Sequence, residues 1–257
     1  MMSVVEKKEN YENRGLTGLL NLGNTCFVNS AIQCISHCYL LNDFLNKKKY
    51  KRFLNKIPET KLLLEWESLR ELMWSENCII KPGAFIKAVQ TVASIKDKDI
   101  FTGFAQNDLT EFLNFLFDCF HESIKRPVQM NIRGKIVNST DKLAKTCYEM
   151  KKNMYSKEYS EFLDMFFGIH VSKVTSCESN YESISPEPFF ILSVPITDKK
   201  TLEDSINHYC VVEKLGDDNK IEVSDGVYET AEKQIVFWSL PNILIITVKR
   251  FNNFNRK

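Results

Sequence analysis

The sequence predicts a mixed helix-and-sheet protein, with helices first and buried strands last. Apolar residues recur at spacings of three and four across 27–45 and across 112–120, which is the periodicity of a helix with a buried face. Toward the other end, continuous apolar runs at 189–196 and at 243–251 are typical of buried strands. These two helical patterns and two strand patterns predict both kinds of secondary structure in this chain.

The composition is that of a globular protein and excludes several function classes. The 257 residues are 44% hydrophobic, which is enough for a sizeable core. A net charge of +1 gives no overall attraction to nucleic acid or to an anionic membrane, and no apolar run approaches the ~20 residues of a membrane helix. Eight cysteines without a C-x-x-C pair, and no signal-peptide pattern, predict reduced thiols in an intracellular protein, cytoplasmic or nuclear.

The stretch 15–45 delivers a cysteine to the start of an apolar helix. Gly23 and Asn24 favour a turn, and Asn24 or Thr25 is expected to cap the helix, so that Cys26 lies in its first turn. The partial positive charge at a helix N-terminus favours thiolate over thiol. Cys26 is therefore a candidate nucleophile.

The neighbours of Cys26 along the chain distinguish it from the other cysteines of this helix. Asn21 precedes it by five residues, where a side-chain amide can donate to an oxyanion that forms beside the sulfur. Cys34 and Cys38 are expected to be buried core residues, since cysteine is among the most buried residue types. His37 lies three turns along the helix, ~16 Å from Cys26, and is not a candidate base.

Residues 101–122 are the second informative stretch. Asp108, followed three residues later by Glu111, is typical of a helix that begins with a capping box, and an apolar face starts at Phe112. A cap accounts for both acids by itself. His121, on the polar side of this helix, is expected to be a surface histidine rather than a base.

The region between these stretches is expected to be structural. The basic run at 47–52 could contact a phosphate backbone, but a solvated helix face is the preferred interpretation for a block of this length. Thr60 is expected to cap the helix that follows. That helix places six large apolar side chains on one buried side: Leu62, Leu63, Trp66, Leu69, Met73 and Trp74.

Three motifs resemble those of the ubiquitin-specific protease family. GLTGLLNLGNTCFVNSAIQC is similar to the cysteine box G-L-x-N-L-G-N-T-C-[YF]-x-N-S-x-[LI]-Q. QNDLTEFL is similar to the box Q-Q-D-A-x-E-F-L, with Asn107 and Leu109 as mild departures, and PNILIITVKRF to the signature P-x-[IV]-L-x-[IV]-x-[LV]-K-R-F. The resemblance extends from Gly15 to Phe251 and is loose between the motifs.

The resemblance implies an α+β, papain-like cysteine protease fold. After a flexible tail at 1–14, a partial catalytic domain would occupy 15–257. Its helical thumb would span about 15–170, and antiparallel β fingers with an incomplete β palm would span about 171–257. The isolated palm strand at 243–251 would have an unpaired side.

The resemblance also implies roles for five residues in a thiol protease that cleaves after the C-terminal glycine of ubiquitin. Cys26 would be the catalytic nucleophile, and Asn21 would form part of the oxyanion hole. Gln106, Asp108 and Glu111 would bind the substrate, with the two carboxylates holding basic residues of the ubiquitin tail.

One departure from the family concerns zinc. Many members hold a structural zinc ion in the fingers with two C-x-x-C pairs. Here Cys177 is followed by Asn180 where its partner cysteine would stand, and the segment 221–226 has no cysteine. We therefore expect no zinc and no other cofactor.

The other departure concerns the catalytic histidine, whose box follows the last motif in the family. The histidines at 37, 121, 170 and 208 match no catalytic position, so we expect the base to be absent from this chain. One interpretation is the first part of a deubiquitinating protease, with the remainder lost or supplied by a second polypeptide. The alternative is a catalytically inactive ubiquitin-binding remnant. A nucleic-acid-binding protein that uses 47–52 is the least favoured interpretation.

Overall fold

Helices form most of the first part of the protein and strands the later part, as the sequence predicts. The computed structural model describes residues 11–196, 198, 201–216 and 218–250. They divide into two units: the first contains the described residues up to Arg126 with Ser160–Phe162, and the second contains Pro127–Tyr159 and the described residues from Leu163 onward. No helix among the described residues is long and apolar enough to cross a membrane.

The first unit is built from helices. They are α1 (Cys26–Ser36), α2 (Tyr39–Asn46), α3 (Pro58–Ser75), α4 (Gly83–Ile95) and α5 (Leu109–Ile124). Two 3₁₀ turns lie at Lys49–Phe53 and Asp99–Phe101, and the short strands β1 (Gly18–Leu19) and β2 (Ile79–Ile80) pair in parallel. Residues 1–10 of the tail predicted at 1–14 lie outside the described residues.

The core of the first unit forms around α3, which packs against both α4 and α5. The six apolar residues predicted for its inner side are all buried, so that prediction is confirmed. The ring of Trp66 lies 6.1 Å from the ring of Phe85 on α4 and 6.5 Å from the ring of Phe120 on α5. The predicted cap is wrong, because the helix begins at Pro58 and the Thr60 hydroxyl donates to the loop before it.

The single helix predicted across 27–45 is interrupted, because α1 ends at Ser36 and α2 begins at Tyr39. The carbonyl oxygen of Ser36 accepts hydrogen bonds from the side-chain amide of Asn42, at 2.7 Å, and from the indole of Trp74, at 3.1 Å. Both donors are buried side chains. These bonds stabilise the turn between the two helices and fix the far end of α1 to α3.

The break explains why the prediction of a buried Cys34 is wrong. Cys34 is exposed and Cys38 is half-buried, with a pKa that burial raises. One continuous helix would place both thiols on its inner side. The side of α1 that faces the core instead carries Val28, Ala31, Ile32 and Ile35.

The basic run at 47–52 lies against α3. Lys48 Nζ is 3.0 Å from Glu71 Oε1, and Lys51 Nζ is 2.9 Å from Glu67 Oε2. The run is therefore solvated on one side only, and two of its cations are engaged by carboxylates of the same unit.

Two buried charges of α3 accompany this contact. Glu67 is 4% exposed and Arg70 is 3% exposed. Burial lowers the pKa of the Arg70 guanidinium, while the nearby carboxylates of Glu71 and Glu67 raise it. Arg70 also donates to Asn46 Oδ1 at 2.8 Å. Glu71 and Glu67 thus both compensate a cation that has lost most of its contact with water.

The second unit contains the longer strands. They are β3 (Gly168–Ser176), β4 (Glu182–Phe189), β5 (Ile191–Pro195), β6 (Glu213–Leu215), β7 (Ile221–Ser224), β8 (Val227–Glu229), β9 (Ala231–Ser239) and β10 (Ile245–Lys249). The helices in this part of the chain are α6 (Ser139–Lys157), α7 (Glu161–Phe166) and α8 (Leu202–Tyr209). The strands predicted at 189–196 and 243–251 correspond to β5 and β10, and Phe251 lies outside the described residues.

Antiparallel and parallel pairing both occur in the second unit. The strands β4, β3, β9 and β6 form an antiparallel sheet in that order, and β7 pairs with β8 as a hairpin. The strands β5 and β10 pair in parallel from Ile191 opposite Ile245 to Pro195 opposite Lys249. Helix α6 covers the antiparallel sheet through a core of Cys147, Ile169 and Val171.

Carboxylates join the Cys177 loop to the turn after β8. Glu178 Oε1 accepts from the backbone N–H and the hydroxyl of Thr230, both at 2.9 Å, and these bonds lower the pKa of Glu178. Glu229 accepts from the hydroxyl of Ser179 at 2.6 Å and from that of Ser176. The tip of the sheet is therefore held by hydroxyl–carboxylate contacts, and Cys177 itself is exposed.

Glu67 and Glu71, which form ion pairs with lysines of the basic run, are expected to differ in their contribution to stability. Replacing the buried Glu67 with Ala breaks its pair with Lys51 and removes one of the two carboxylates near Arg70, and is expected to lower the free energy of unfolding by roughly 2–3 kcal/mol. Glu71→Ala, on the same helix, breaks a pair with the exposed Lys48 and is expected to lower the free energy of unfolding less. Urea unfolding followed by circular dichroism measures both. Equal losses in the two variants would contradict the larger contribution of the buried Glu67.

Candidate active site

Cys26 is the first residue of α1, and its side chain is exposed. The turn before it has the predicted conformation, with φ of +104° at Gly23 and +50° at Asn24. Both values lie in the left-handed region that glycine and asparagine adopt most readily. The local sequence therefore places a thiol at the solvent-facing end of a helix whose other end is fixed in the core.

The predicted side-chain cap of α1 is wrong. Thr25 occupies the N-cap position, but neither it nor another side chain caps the helix. The Thr25 hydroxyl instead accepts from the backbone N–H of Leu22 at 3.0 Å and donates to Asn21 Oδ1 at 3.1 Å. The first amides of a helix have no partner within the helix. In α1 they therefore remain available to an anion beside Cys26.

Asn21 is held by its side-chain oxygen. Oδ1 accepts from the backbone N–H of Gly23, from the backbone N–H of Thr25 and from the Thr25 hydroxyl, each at 3.1 Å. Three donors on one oxygen fix which end of the amide faces the turn. The exposed Nδ2 has no acceptor among the described residues, so it is free to donate to a ligand.

A loop residue to which the sequence analysis assigns no role, Phe104, lies against this turn. Asn24 Nδ2 donates to the carbonyl oxygen of Phe104 at 2.9 Å, and the Phe104 ring lies over Gly23, where an added Cβ would be 3.6 Å from Cδ1. Phe104 is 56% exposed. An exposed aromatic in a loop between two helices was the available signal. The contact brings the segment before α5 to the Cys26 turn.

The acids predicted for substrate binding are exposed at the start of α5. Asp108 is the N-cap, and its Oδ1 accepts from the Glu111 backbone N–H at 3.0 Å, which confirms this half of the predicted capping box. The reciprocal bond to the Glu111 side chain does not form in the described part of the chain. The second carboxylate oxygen of Asp108 and the side chain of Glu111 remain accessible on the same turn. Gln106 is also exposed. Asn107 holds the loop by donating to the carbonyl oxygens at 100 and 105.

Burial distinguishes two other thiols from Cys26, and position along the helix distinguishes a third. Cys119 and Cys147 are buried, and desolvation raises the pKa of Cys119 to about 12 and also raises that of Cys147. Cys34 is exposed, but it lies in the last turn of α1, where the helix dipole is negative. Among these thiols, only Cys26 combines exposure with a helix N-terminus.

The comparisons with known proteins agree with the motifs. The sequence profile described as ubiquitin carboxyl-terminal hydrolase matches residues 17–257. The chain belongs to the ubiquitin carboxyl-terminal hydrolase family. It is 30% identical over 251 residues to ubiquitin carboxyl-terminal hydrolase 2 of Bos taurus and 31% identical over 251 residues to that of Homo sapiens. Each alignment covers 93% of this chain and 40% of the relative, so the chain spans about two fifths of their length.

A solved structure supports the fold of this hydrolase family member. The SAGA Ubp8/Sgf11/Sus1/Sgf73 DUB module bound to ubiquitin aldehyde matches with a TM-score of 0.67 and 21% sequence identity. The match covers 96% of this chain and 50% of that chain. The predicted α+β fold of the family is therefore confirmed.

The histidines of this hydrolase family member lie at four separate places. His37 follows the last residue of α1, where its Nδ1 is 2.9 Å from the carbonyl oxygen of Gln33. His121 is half-buried rather than on the surface as expected, and its Nδ1 is 2.8 Å from the Ser160 hydroxyl. In the second unit, His170 stacks on Phe189, and residue 208 is in the last turn of α8.

Proposed function

We propose that this chain is the nucleophile-bearing part of a deubiquitinating thiol protease, which cleaves the bond after the C-terminal glycine of ubiquitin. The observation that carries the proposal is the exposed Cys26 at an uncapped helix N-terminus, beside an asparagine amide whose oxygen is already occupied. Membership of the ubiquitin carboxyl-terminal hydrolase family supplies the substrate class.

In this proposal the Cys26 thiolate attacks the carbonyl carbon of the terminal glycine. A C–S bond forms, and the carbonyl oxygen becomes an oxyanion that accepts hydrogen bonds from Asn21 Nδ2 and from the open amides of α1. The C–N bond then breaks, and the leaving amine takes a proton from a general acid. Water attacks the thioester, which releases ubiquitin and restores the thiol.

We propose that the acid is a histidine outside residues 1–257, carried by a further segment or by a second polypeptide. His37 is separated from Cys26 by the length of α1, ~16 Å. His121 lies in the last turn of α5, at the opposite end from Asp108. Neither placement in the first unit favours proton transfer at Cys26.

We further propose that Gln106, Asp108 and Glu111 bind the tail of ubiquitin. Two exposed carboxylates one turn apart suit the basic side chains of that tail, because charge-assisted hydrogen bonds to carboxylates are among the strongest. Residues 15–257 would then be a partial catalytic domain, with a thumb at about 15–170 and fingers and palm at about 171–257.

The same proposal places the protein inside a cell, in the cytoplasm or nucleus, because all eight cysteines are free thiols. We propose neither nucleic acid nor membrane as a partner. The basic run at 47–52, the earlier candidate for nucleic-acid contact, has two lysines engaged by Glu67 and Glu71.

Acyl transfer from ubiquitin thioester and ubiquitin amide tests the nucleophile and the acid separately. A thiol leaves a thioester without a general acid, whereas an amine leaves only when protonated. Residues 1–257 and the Cys34→Ala control are expected to form an adduct at position 26 with the thioester, and the Cys26→Ala variant is expected to form none. The amide is expected to remain uncleaved.

Two outcomes would contradict parts of this proposal. Acylation of the Cys26→Ala variant would remove the nucleophile assignment. Cleavage of the amide that depends on Cys26 would mean that a base lies within residues 1–257 or in a second copy of the chain. Binding of ubiquitin without acylation would instead support the catalytically inactive, ubiquitin-binding alternative.

Replacement of Asn21 with Asp separates its role in the turn from its role at the oxyanion. The aspartate keeps an oxygen for the N–H groups of Gly23 and Thr25 but loses the donor. We expect acylation by ubiquitin thioester to slow about a hundredfold, the effect of losing one oxyanion donor. Single-turnover mass spectrometry measures the rate. Asn21→Ala also loses the acceptor in the turn, so it shows how far unfolding of the turn by itself lowers the rate. A wild-type rate in Asn21→Asp would contradict the oxyanion role.

Replacement of Asp108 with Asn separates the helix cap from substrate binding. Asparagine caps a helix as well as aspartate does, so the midpoint of urea unfolding is expected to remain unchanged. The dissociation constant for ubiquitin is expected to rise about tenfold, because a charge-assisted hydrogen bond is lost. A fluorescence titration with labelled ubiquitin measures it, with Asp118→Asn on the same helix as the control. Unchanged affinity would contradict the proposed contact.

A further inference from the structure

The second unit contains a groove that the proposed protease chemistry does not use. It lies between the loop at 131–136 and helix α6, and its volume is about 930 Å³. Binding sites in proteins commonly have volumes of several hundred to a thousand Å³. The groove is therefore large enough for a peptide segment.

The packing of α6 determines which side chains face this groove. Leu143, Cys147 and Met150 belong to the core formed with β3 and β9. On the opposite side, Lys145, Tyr148 and Lys152 line the groove, as their spacings of three and four on a helix require. Because the inner side is fixed by the core, the outer side is presented in one orientation.

The rim of the groove is basic. Two carboxylates line it, Asp141 and Glu149. Asp141 already accepts from the backbone N–H groups at 137 and 138, and Glu149 lies 3.6 Å from Lys145. Four cationic side chains line it, namely Arg133, Lys135, Lys145 and Lys152. Three of the four have no carboxylate within salt-bridge distance among the described residues.

The groove also has an apolar wall. Ile132, Ile136 and Tyr148 line it, and their exposed fractions are 37%, 56% and 42%. Solvated aliphatic side chains beside an aromatic ring favour contact with apolar groups of a ligand. A purely polyanionic ligand would leave this wall in water and would also meet the two carboxylates.

The loop itself offers backbone hydrogen bonds. Its residues 131–136 adopt no helix or strand, and their N–H and C=O groups form no hydrogen bond within the described part of the chain. Backbone N–H groups on both sides of the loop are hydrogen-bonded. The N–H of Val128 donates to the carbonyl oxygen of Tyr155, and the N–H of Val137 donates to the carboxylate of Asp141. A loop with unpaired peptide groups can form backbone hydrogen bonds with an extended chain that lies beside it.

We propose that this groove binds an extended segment of a partner protein in which acidic residues alternate with aliphatic ones. The carboxylates would contact Arg133, Lys135 and Lys152, the aliphatic side chains would contact Ile136 and Tyr148, and the backbone would pair with the loop. Side chains of an extended chain alternate between two sides, so acidic and aliphatic residues of one segment can reach the cations and the apolar residues that line the groove. The site does not depend on the chemistry proposed for Cys26.

Fluorescence anisotropy with a labelled synthetic peptide of alternating Glu and Leu tests the proposal on the full chain. We expect saturable binding that weakens as sodium chloride is raised, since the contacts are between exposed charges. Reversing two cations in the Arg133→Glu, Lys152→Glu double variant is expected to weaken binding about tenfold. Lys157→Glu is the control, because Lys157 is exposed, does not line the groove and lies about 140° around α6 from Lys152. That control is expected to bind within about twofold of the wild type.

Two further ligands test whether the groove prefers an acidic and aliphatic peptide to a purely polar peptide or to RNA. A peptide of alternating Glu and Ser is expected to bind more weakly than the Glu and Leu peptide, and oligouridine is expected to bind no better in the wild type than in the double variant. Absence of saturable peptide binding, equal affinity of the wild type and the double variant, or preference for RNA would each overturn the proposal. If the double variant fails to fold by circular dichroism, Arg133→Gln with Lys152→Gln replaces it, with an expected loss of about threefold.

Discussion

The oxygen of one asparagine side chain holds the turn on which the candidate active site is built. Asn21 Oδ1 accepts from two backbone N–H groups and from the Thr25 hydroxyl. The same bonds leave the amide nitrogen of Asn21 as the end that can donate outward. They also occupy the threonine that would otherwise cap α1, so the first amides of the helix remain open. One local constraint therefore provides both kinds of donor beside Cys26.

The rest of the first unit keeps this turn in place from two sides. At the far end of α1, the carbonyl oxygen of Ser36 receives the side chains of Asn42 and Trp74, which fix the helix to the core. At the near end, Asn24 bonds to the loop that carries Phe104 and leads into α5. A thiol on a helix held at both ends has a defined direction, which a nucleophile needs if its partners are preorganised.

The sequence predicts structure that depends on neighbouring residues, but it does not predict structure that depends on contacts between residues far apart in the chain. The periodicity of α3 and α5 and the cap at Asp108 depend on neighbours within a few residues, and they were predicted. The break after Ser36 depends on Trp74, which is 38 residues away, while the apolar spacing continues across the break. Strand β4 contains Pro186 and Pro188, which argue against a strand, yet it lies at the edge of its sheet, where proline is tolerated.

The two acids at the start of α5 illustrate why a structural explanation does not exclude a functional one. A helix cap accounts for Asp108 completely, but it uses one carboxylate oxygen and requires the residue to lie at the end of the helix. The end of a helix is also where a side chain reaches solvent. The cap thus fixes the direction of the carboxylate while its second oxygen stays accessible, and a fixed, accessible anion is what binding of a basic tail requires. At Asp108 the hydrogen bond that caps the helix therefore also orients the carboxylate for the proposed contact with a basic side chain.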